Sequence, residues 1–302
     1  MKKILFIDGP NLMFRAAYAN QDLTHADRPT GMLYGFFRSM LLYARIYPLH
    51  QIVVCWDTGH AERDALADAG VAAGIIPEGY KANRKKNITE EQKLIFWQIE
   101  QQIGDLKTGL AMTRAIQVEV PGHEADDIIG TYVLNDAESE IVLATSDKDY
   151  YQLLERNVIM DDQLNGKKMD YDTFTAETGL ASADLWVDVG ALMGDAGDNI
   201  FGAPGIGPVN AQNLVKEHGT AHNVIRALEA KYAGVDPAKV PKKMLSILQH
   251  KERVLLAFKL KQMIMVPNLP ALTPHPGDCI KLEWFFDEHG FTSLKESISL
   301  FA

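Results

Sequence analysis

Short apolar runs alternate with longer amphipathic stretches over roughly the first 175 residues. Ile4–Asp8, Gln51–Asp57, Ile116–Val120, Glu140–Ser146 and Asn157–Met160 carry the compact apolar pattern of buried strands. Between them, Gly31–Ile46 and Glu90–Leu110 repeat apolar residues at helical spacing, and Thr89 with Gln92 forms a capping box ahead of the second. Strands alternating with helices predict an α/β fold: a mostly parallel sheet with helices on both faces. Ligands collect at the carboxyl ends of the strands in such sheets. From about residue 180 the strand pattern stops. Helices are expected over Ser182–Met193, with Ser182 as cap, over Pro208–His218 and over Val240–Met263, before a proline-bearing tail from Pro267 and a short amphipathic end. The expected organisation is an α/β domain at 1–178 and a helical region with C-terminal tail at 179–302. Ala61–Gly79 is rich in Ala and Gly with weak periodicity and is expected to be mobile.

At 47% hydrophobic and 23% charged, the composition is that of an ordinary globular chain. No apolar run approaches the ~18–20 residues of a membrane span. The basic-then-apolar start, Met1 to Ile7, ends at Asp8, well short of the ~7–15 apolar residues of a signal core, so a strand is the better reading. Cys55 and Cys279 lie in no metal-type spacing, which points to free thiols and a cytoplasmic setting. The net charge of −10 stands against a nucleic-acid partner, because phosphate binding leaves a basic footprint.

The acidic residues are not evenly spread. Asp8, Asp57 and the pair Asp147 and Asp149 each follow a predicted strand, so three strands deliver carboxylates to one edge of the sheet. An Asp at a strand end is commonly a turn residue, but three coincident strand ends are not explained that way. Glu124, Asp126 and Asp127 fall in the first turn of a helix marked by apolar positions 125, 128, 129, 132 and 133. Acids there complement the helix dipole, yet three within four residues repel one another and call for a cation. Asp195 and Asp198 are spaced to face one way on a helical turn; taken alone, the pair reads as a solvated loop. Carboxylates without His or Cys suit Mg²⁺ or Mn²⁺. Two such ions about 3.5–4 Å apart can clamp a phosphodiester. His123, beside the second cluster, reads as structural, a helix cap rather than a ligand.

In order, Ile7-Asp8-Gly9-Pro10-Asn11, Trp56-Asp57, Tyr80-Lys81-Ala82-Asn83-Arg84, Glu124-Ala125-Asp126-Asp127, Ser146-Asp147-Lys148-Asp149 and Gly194-Asp195-Ala196-Gly197-Asp198-Asn199 resemble the motifs of the 5′-nuclease family, which includes flap endonucleases, phage 5′-exonucleases and the 5′-nuclease domain of bacterial DNA polymerase I. The resemblance spans roughly residues 4–215. It implies a PIN-like nuclease core joined to a helix–three-turn–helix DNA-binding element. It assigns Asp8, Asp57, Glu124 and Asp126 to a first metal region, Asp127 and Asp147 close to both, and Asp149, Asp195 and Asp198 to a second. It makes Lys81, Arg84 and Asp126 catalytic, and puts Lys81 and Arg84 on a helical arch at about 58–100, with Tyr80 stacked on a base near the cut. Arg15, Lys85 and the loop glycines Gly202, Gly205 and Gly207 join the DNA contacts, and K⁺ is implied at that loop. Where the family usually has Lys and often Thr after the loop, this chain has Val209 and Asn210, so that phosphate contact is either lost or moved to Lys216.

The implied activity is that of a metal-dependent, monomeric 5′-nuclease acting on DNA flaps, nicks, gapped duplex or free 5′ ends, with RNA in hybrids as a further substrate, in a bacterial or phage-infected cytoplasm. The competing readings are a non-catalytic module that binds branched DNA, which would need lost carboxylates, and a phosphatase with an Asp nucleophile, which typically has a second Asp where Pro10 stands. The charge objection also weakens. Of 40 acidic residues, nine belong to the clusters, and the remainder nearly balances the 30 basic residues.

Overall fold

The computed structural model describes residues 1–86 and 88–301, with Lys85 described by its backbone alone. In chain order the elements are β1 Lys3–Asp8, α1 Gly9–Ala19, β2 Thr24–His25, β3 Arg28–Pro29, α2 Gly31–Ile46, β4 Gln51–Trp56, α3 Ala61–Ala72, α4 Glu90–Ala111, β5 Ile116–Glu119, α5 Ala125–Leu134, β6 Glu140–Ala144, β7 Val158–Asp162, β8 Lys167–Met169, α6 Tyr171–Thr178, α7 Trp186–Met193, α8 Pro208–His218, α9 Ala221–Lys231, α10 Lys242–Gln249, α11 Lys251–Lys261, α12 Cys279–Glu288 and α13 Thr292–Lys295. Six strands form the main sheet in the order β5-β4-β1-β6-β7-β8, parallel throughout except for the antiparallel β7–β8 pair. The expected α/β class with a helical second region is what the chain adopts.

Strands that read as uniformly apolar divide their side chains between two cores. Ile4 and Phe6 of β1 join Val53, Cys55, Ile141 and Leu143 on one face. Leu5 and Ile7 join Ile52, Val54, Trp56, Val142 and Ala144 on the other. Both faces must therefore be covered by helices. On the first face lie α5 and the helical region, whose Leu192, Ala211, Val224, Val254 and Leu260 share one cluster with Phe6 and Ile129. On the second lie α1, α2 and α4.

The structure corrects four expectations. Ala61–Gly79 is not a loose segment: Ala61–Ala72 is helical, Ala67 is fully buried, and Gly70 lets α3 approach Leu256 of α11 closely. Its small residues serve close packing. The helix expected from Ser182 begins at Trp186, because the Ser182 hydroxyl donates to the Asp184 carboxylate instead of capping. Val240–Met263 is two helices broken at His250, whose backbone leaves helical geometry. Finally, the end of the 179–302 region leaves the helical region. Phe285, Phe286 and Phe301 pack around Phe37 of α2 on the opposite face of the sheet. Among the described residues no helix is long and apolar enough to cross a membrane.

Phe286 is fully buried, its ring 5.2 Å from that of Phe37 and 6.0 Å from that of Phe301. Phe286→Ala should lower the unfolding free energy by about 3–5 kcal/mol in urea denaturation; a loss below about 1 kcal/mol would refute this packing.

Candidate metal centre

Each acidic side chain is held by the local structure that its own sequence creates. Asp8 ends β1 and caps α1, its Oδ1 accepting the Asn11 N–H at 3.0 Å. Gly9 permits this sharp strand-to-helix junction, since a Cβ there would collide with the Cys55 carbonyl and the Trp56 ring. Asp57 follows β4 and accepts the Ala125 N–H at 2.7 Å, so a strand-end carboxylate satisfies an orphan donor of α5. Glu124 occupies the N-cap of α5, with Asp126 in its first turn. His123 is therefore not the cap; it lies in the preceding turn, its carbonyl accepting the Thr58 N–H. Asp147 follows β6 and accepts the Asp149 N–H at 2.9 Å. Asp195 and Asp198 sit in the loop after α7, closed by reciprocal backbone hydrogen bonds between Asp195 and Ile200.

Asp8, Asp57, Glu124, Asp126, Asp147, Asp149, Asp195 and Asp198 line one cavity of about 410 Å³. Carboxylate oxygens of Asp149, Asp195 and Asp198 lie within 4.8 Å of one another, as do oxygens of Glu124, Asp126 and Asp127. Eight carboxylates without an imidazole or thiolate form a donor set for hard divalent cations. Burial pushes the Asp8 carboxyl up to about 8, reinforced by Asp57, Asp147 and Asp126. Asp57, Asp126 and Asp147 are raised chiefly by burial too. Cations must offset this repulsion if all eight are to stay ionised.

The protein supplies some of that charge. Lys81 pairs with Glu124, and Arg84 meets Asp198 at 2.5 Å. Lys81 adopts a left-handed backbone (φ 52°), uncommon for a side chain of its kind, and its N–H donates to the Asp198 carbonyl at 2.9 Å. Lys261 bridges Asp149 and Asp195. Burial pushes the Asp195 carboxyl upward, but the Lys261 ammonium outweighs it and leaves Asp195 below its ordinary range. Arg63 is buried and meets Glu124 at 2.9 Å.

Not every expected residue falls where the motifs suggested. Asp127 is 1% exposed and does not line the cavity: Arg63 grips both its oxygens, and Oδ1 also accepts the Ile264 N–H at 2.7 Å. Its role here is to join α5, α3 and the segment after α11. Tyr80, expected to stack on a base, is buried, its hydroxyl 3.1 Å from Glu124 and 3.2 Å from Asp198. The expected arch at 58–100 is thus not raised over the site along its whole length. α3 packs into the first core, and residues 79–84 lie across the cavity rim, where Asn199 donates to the Gly79 carbonyl and Asn83 to the Ala196 carbonyl. Arg15 lines the cavity and pairs with Asp162 at 2.8 Å. The Lys85 side chain lies outside the described residues. Gly205, with φ 79°, and Gly207 stand in open space at the start of α8, as a backbone phosphate contact requires. Gly202 is instead wedged against the Gly194 and Leu192 backbone. Lys216 lies in the last turn of α8, at the far end from this loop, so it does not replace the missing lysine. Arg253 borders the loop cavity, its guanidinium over the Phe201 ring. Sequence reasoning missed Arg63, Arg253 and Lys261. Each sits on a helix far along the chain from its partner, and no spacing signal marks them.

Comparison with known proteins gives a consistent answer. A family model described as "5'-3' exonuclease, N-terminal resolvase-like domain" matches residues 3–179, and one described as "5'-3' exonuclease, C-terminal SAM fold" matches residues 181–272. A 5'-3' exonuclease of Bacillus subtilis is 31% identical over 75% of this chain and 74% of its own length. DNA polymerase I of Caldicellulosiruptor bescii is 30% identical over 82% of this chain, but the match covers 29% of that polymerase. Among solved structures, T5 5'-exonuclease with divalent metal ions (zinc) bound superposes with a TM-score of 0.67 at 21% identity, covering 99% of each chain. The catalytic core of Rad2 in complex with DNA substrate gives 0.61 at 14% identity, covering 99% of this chain and 92% of that one. At these identities the structures establish a shared fold.

Two outcomes follow from the charge arrangement. With folded Asp8 near 8 and an unfolded carboxyl near 4, the chelated native protein holds protons that the unfolded chain has released. Stability in EDTA should therefore fall as pH rises from about 4 to about 8, and added Mg²⁺ should flatten that slope in thermal melts. A flat profile in EDTA would contradict the burial of this cluster. Arg63→Met leaves Asp127 buried and unpaired, and should cost about 3–5 kcal/mol of unfolding free energy in urea titrations.

Proposed function

The chain belongs to the 5′-3′ exonuclease family, and on that basis we propose that it is a divalent-metal-dependent 5′-nuclease that hydrolyses DNA phosphodiesters at flaps, nicks, gaps or free 5′ ends in replication or repair. The observation that carries this reading is the convergence of eight carboxylates on one cavity, with the cations Lys81 and Arg84 at its rim. T5 flap endonuclease has been solved with DNA and metal ions, and the fold is shared. We assign Mg²⁺ or Mn²⁺, two per site, to the cavity. Asp8, Asp57, Glu124, Asp126 and Asp147 hold the first, and Asp149, Asp195 and Asp198 the second; Asp127 is left to Arg63. Ions bound there supply an acidified water and charge screening at the phosphodiester.

The rest of the work falls to the side chains. Lys81 and Arg84 leave Glu124 and Asp198 to meet the negative charge that develops on the scissile phosphate as water attacks phosphorus and the P–O3′ bond breaks, the 3′ oxygen leaving as a hydroxyl and the phosphate staying on the 5′ end of the product. Tyr80 is freed by the same movement. The α/β part, 1–178, carries most of the hydrolytic site and is completed by Asp195 and Asp198 from the helical region, which also grips duplex DNA. There the backbone of Gly205 and Gly207 and the start of α8 meet phosphate, with K⁺ at the loop, while Arg15 and Lys85 add contacts from the α/β part. A monomer in the cytoplasm is the form we assign, with RNA in hybrids as a further substrate. A non-catalytic module is not favoured, because no carboxylate of the lining is replaced.

A labelled 5′-flap duplex tests the proposal. Cleavage should require Mg²⁺, vanish in EDTA and be lost in Asp126→Asn; survival in either case would refute it. Lys81→Met should lower kcat by about 10²–10³-fold in single-turnover assays. Undiminished cutting of a flap with a blocked 5′ end would exclude passage of that end beneath residues 79–100.

A further inference from the structure

Lys261 ends α11, in the helical region, yet its ammonium lies inside the acidic cluster of the nuclease core. Nζ is 2.5 Å from both oxygens of Asp149 and 2.8 Å from Asp195 Oδ2. Asp149 and Asp195 are two of the three carboxylates whose oxygens cluster within 4.8 Å. The residue is 6% exposed, and its methylene stem runs across Gly190 of α7. Its backbone is pinned as well: the Lys261 carbonyl accepts from Gln152 at 3.2 Å, and Gln152 in turn accepts the Met263 N–H at 3.1 Å. Gln152 belongs to the same 3₁₀ turn, Lys148–Leu153, that carries Asp149. Both the main chain and the side chain of Lys261 are therefore fixed to the acids it neutralises. Arg84, the other cation at this cluster, is half exposed and sits at the rim on Asp198.

We propose that Lys261 is a built-in counter-cation of the second metal region and makes the two metal sites unequal: a divalent ion binds first at the Asp8, Asp57, Glu124, Asp126 and Asp147 side, and the second binds weakly because it must share Asp149 and Asp195 with a fixed ammonium. This rests on the two-metal reading above. The physical reason is direct. The ammonium occupies two of the three clustered ligands and repels a divalent ion at short range in a buried setting, where Coulomb interactions are poorly screened. Without any metal, the same ammonium keeps the cluster from flying apart, so the site is preformed before an ion arrives.

Mn²⁺ binding to the full chain without DNA, followed by titration calorimetry and by the electron paramagnetic resonance of free Mn²⁺, tests the inference apart from catalysis. Wild type should bind one Mn²⁺ tightly and a second at least about tenfold more weakly. Lys261→Met should tighten the second site by about tenfold or more, while Lys261→Arg, which keeps the charge, should not. Lys261→Gln, which keeps a hydrogen-bond donor without charge, should behave like the Met variant and stands in if the latter fails to fold. In thermal melts the uncharged variants should melt lower than wild type in EDTA and gain more from Mn²⁺. An unchanged second affinity in both uncharged variants, or equal tightening in Lys261→Arg, would overturn the inference. Two equal sites in wild type would overturn it while leaving the two-metal reading intact; no bound Mn²⁺ at all would overturn both.

Discussion

The constraint on which the rest depends is mutual repulsion among carboxylates crowded at the carboxyl edge of a parallel sheet. Eight of them face one cavity, and burial raises the cost of ionising Asp8, Asp57, Asp126, Asp147 and Asp149. A hydrophobic core cannot relieve that cost; only opposite charge and hydrogen bonds to the ionised form can. Much of the surrounding architecture is disposed to supply them. α1 and α5 begin where they do partly because Asp8 and Asp57 accept their first N–H groups. Arg63, Lys81, Arg84 and Lys261 come from α3, the 79–86 segment and α11, and each ends on an acid of the cluster or its flank.

The helical region and the sheet also share one hydrophobic cluster rather than standing as two lobes joined by a linker. α11 packs on α7 and α3 and delivers Lys261 to the cavity. Arg63 reaches back to the Leu260 carbonyl at 3.0 Å while it holds Asp127. The region that would grip duplex DNA is thus tied, through two buried cations, to the groups that would hold metal.

Tyr80, Lys81 and Arg84, the groups best suited to meet a phosphate, are engaged with Glu124 and Asp198. Bound cations would neutralise those carboxylates and weaken their hold on the basic residues. On the proposed function, metal binding and release of the phosphate-binding groups would be two sides of one electrostatic exchange.

Local pattern in the chain was enough for the α/β class, the main strands, the capping box at Thr89, and the list of acids that converge. Strand periodicity and strand-end position are local properties, and parallel strands leave their ends at one edge. The same pattern missed the break at His250 and the late start at Trp186, and it missed the α12 packing on α2 and the order in Ala61–Ala72 because those two depend on partners far along the chain. It grouped Asp127 with its neighbours, although one step around a helix turns a side chain by about 100°, here toward Arg63. The family resemblance set Tyr80 on a base and offered Lys216 for the lost phosphate contact, and neither it nor the local pattern pointed to Arg63 or Lys261. Carboxylate clusters are written in adjacent residues; the cations that neutralise them are not, since long-range charge pairing follows from helix packing, and only the tertiary structure decides which lysine or arginine reaches which acid.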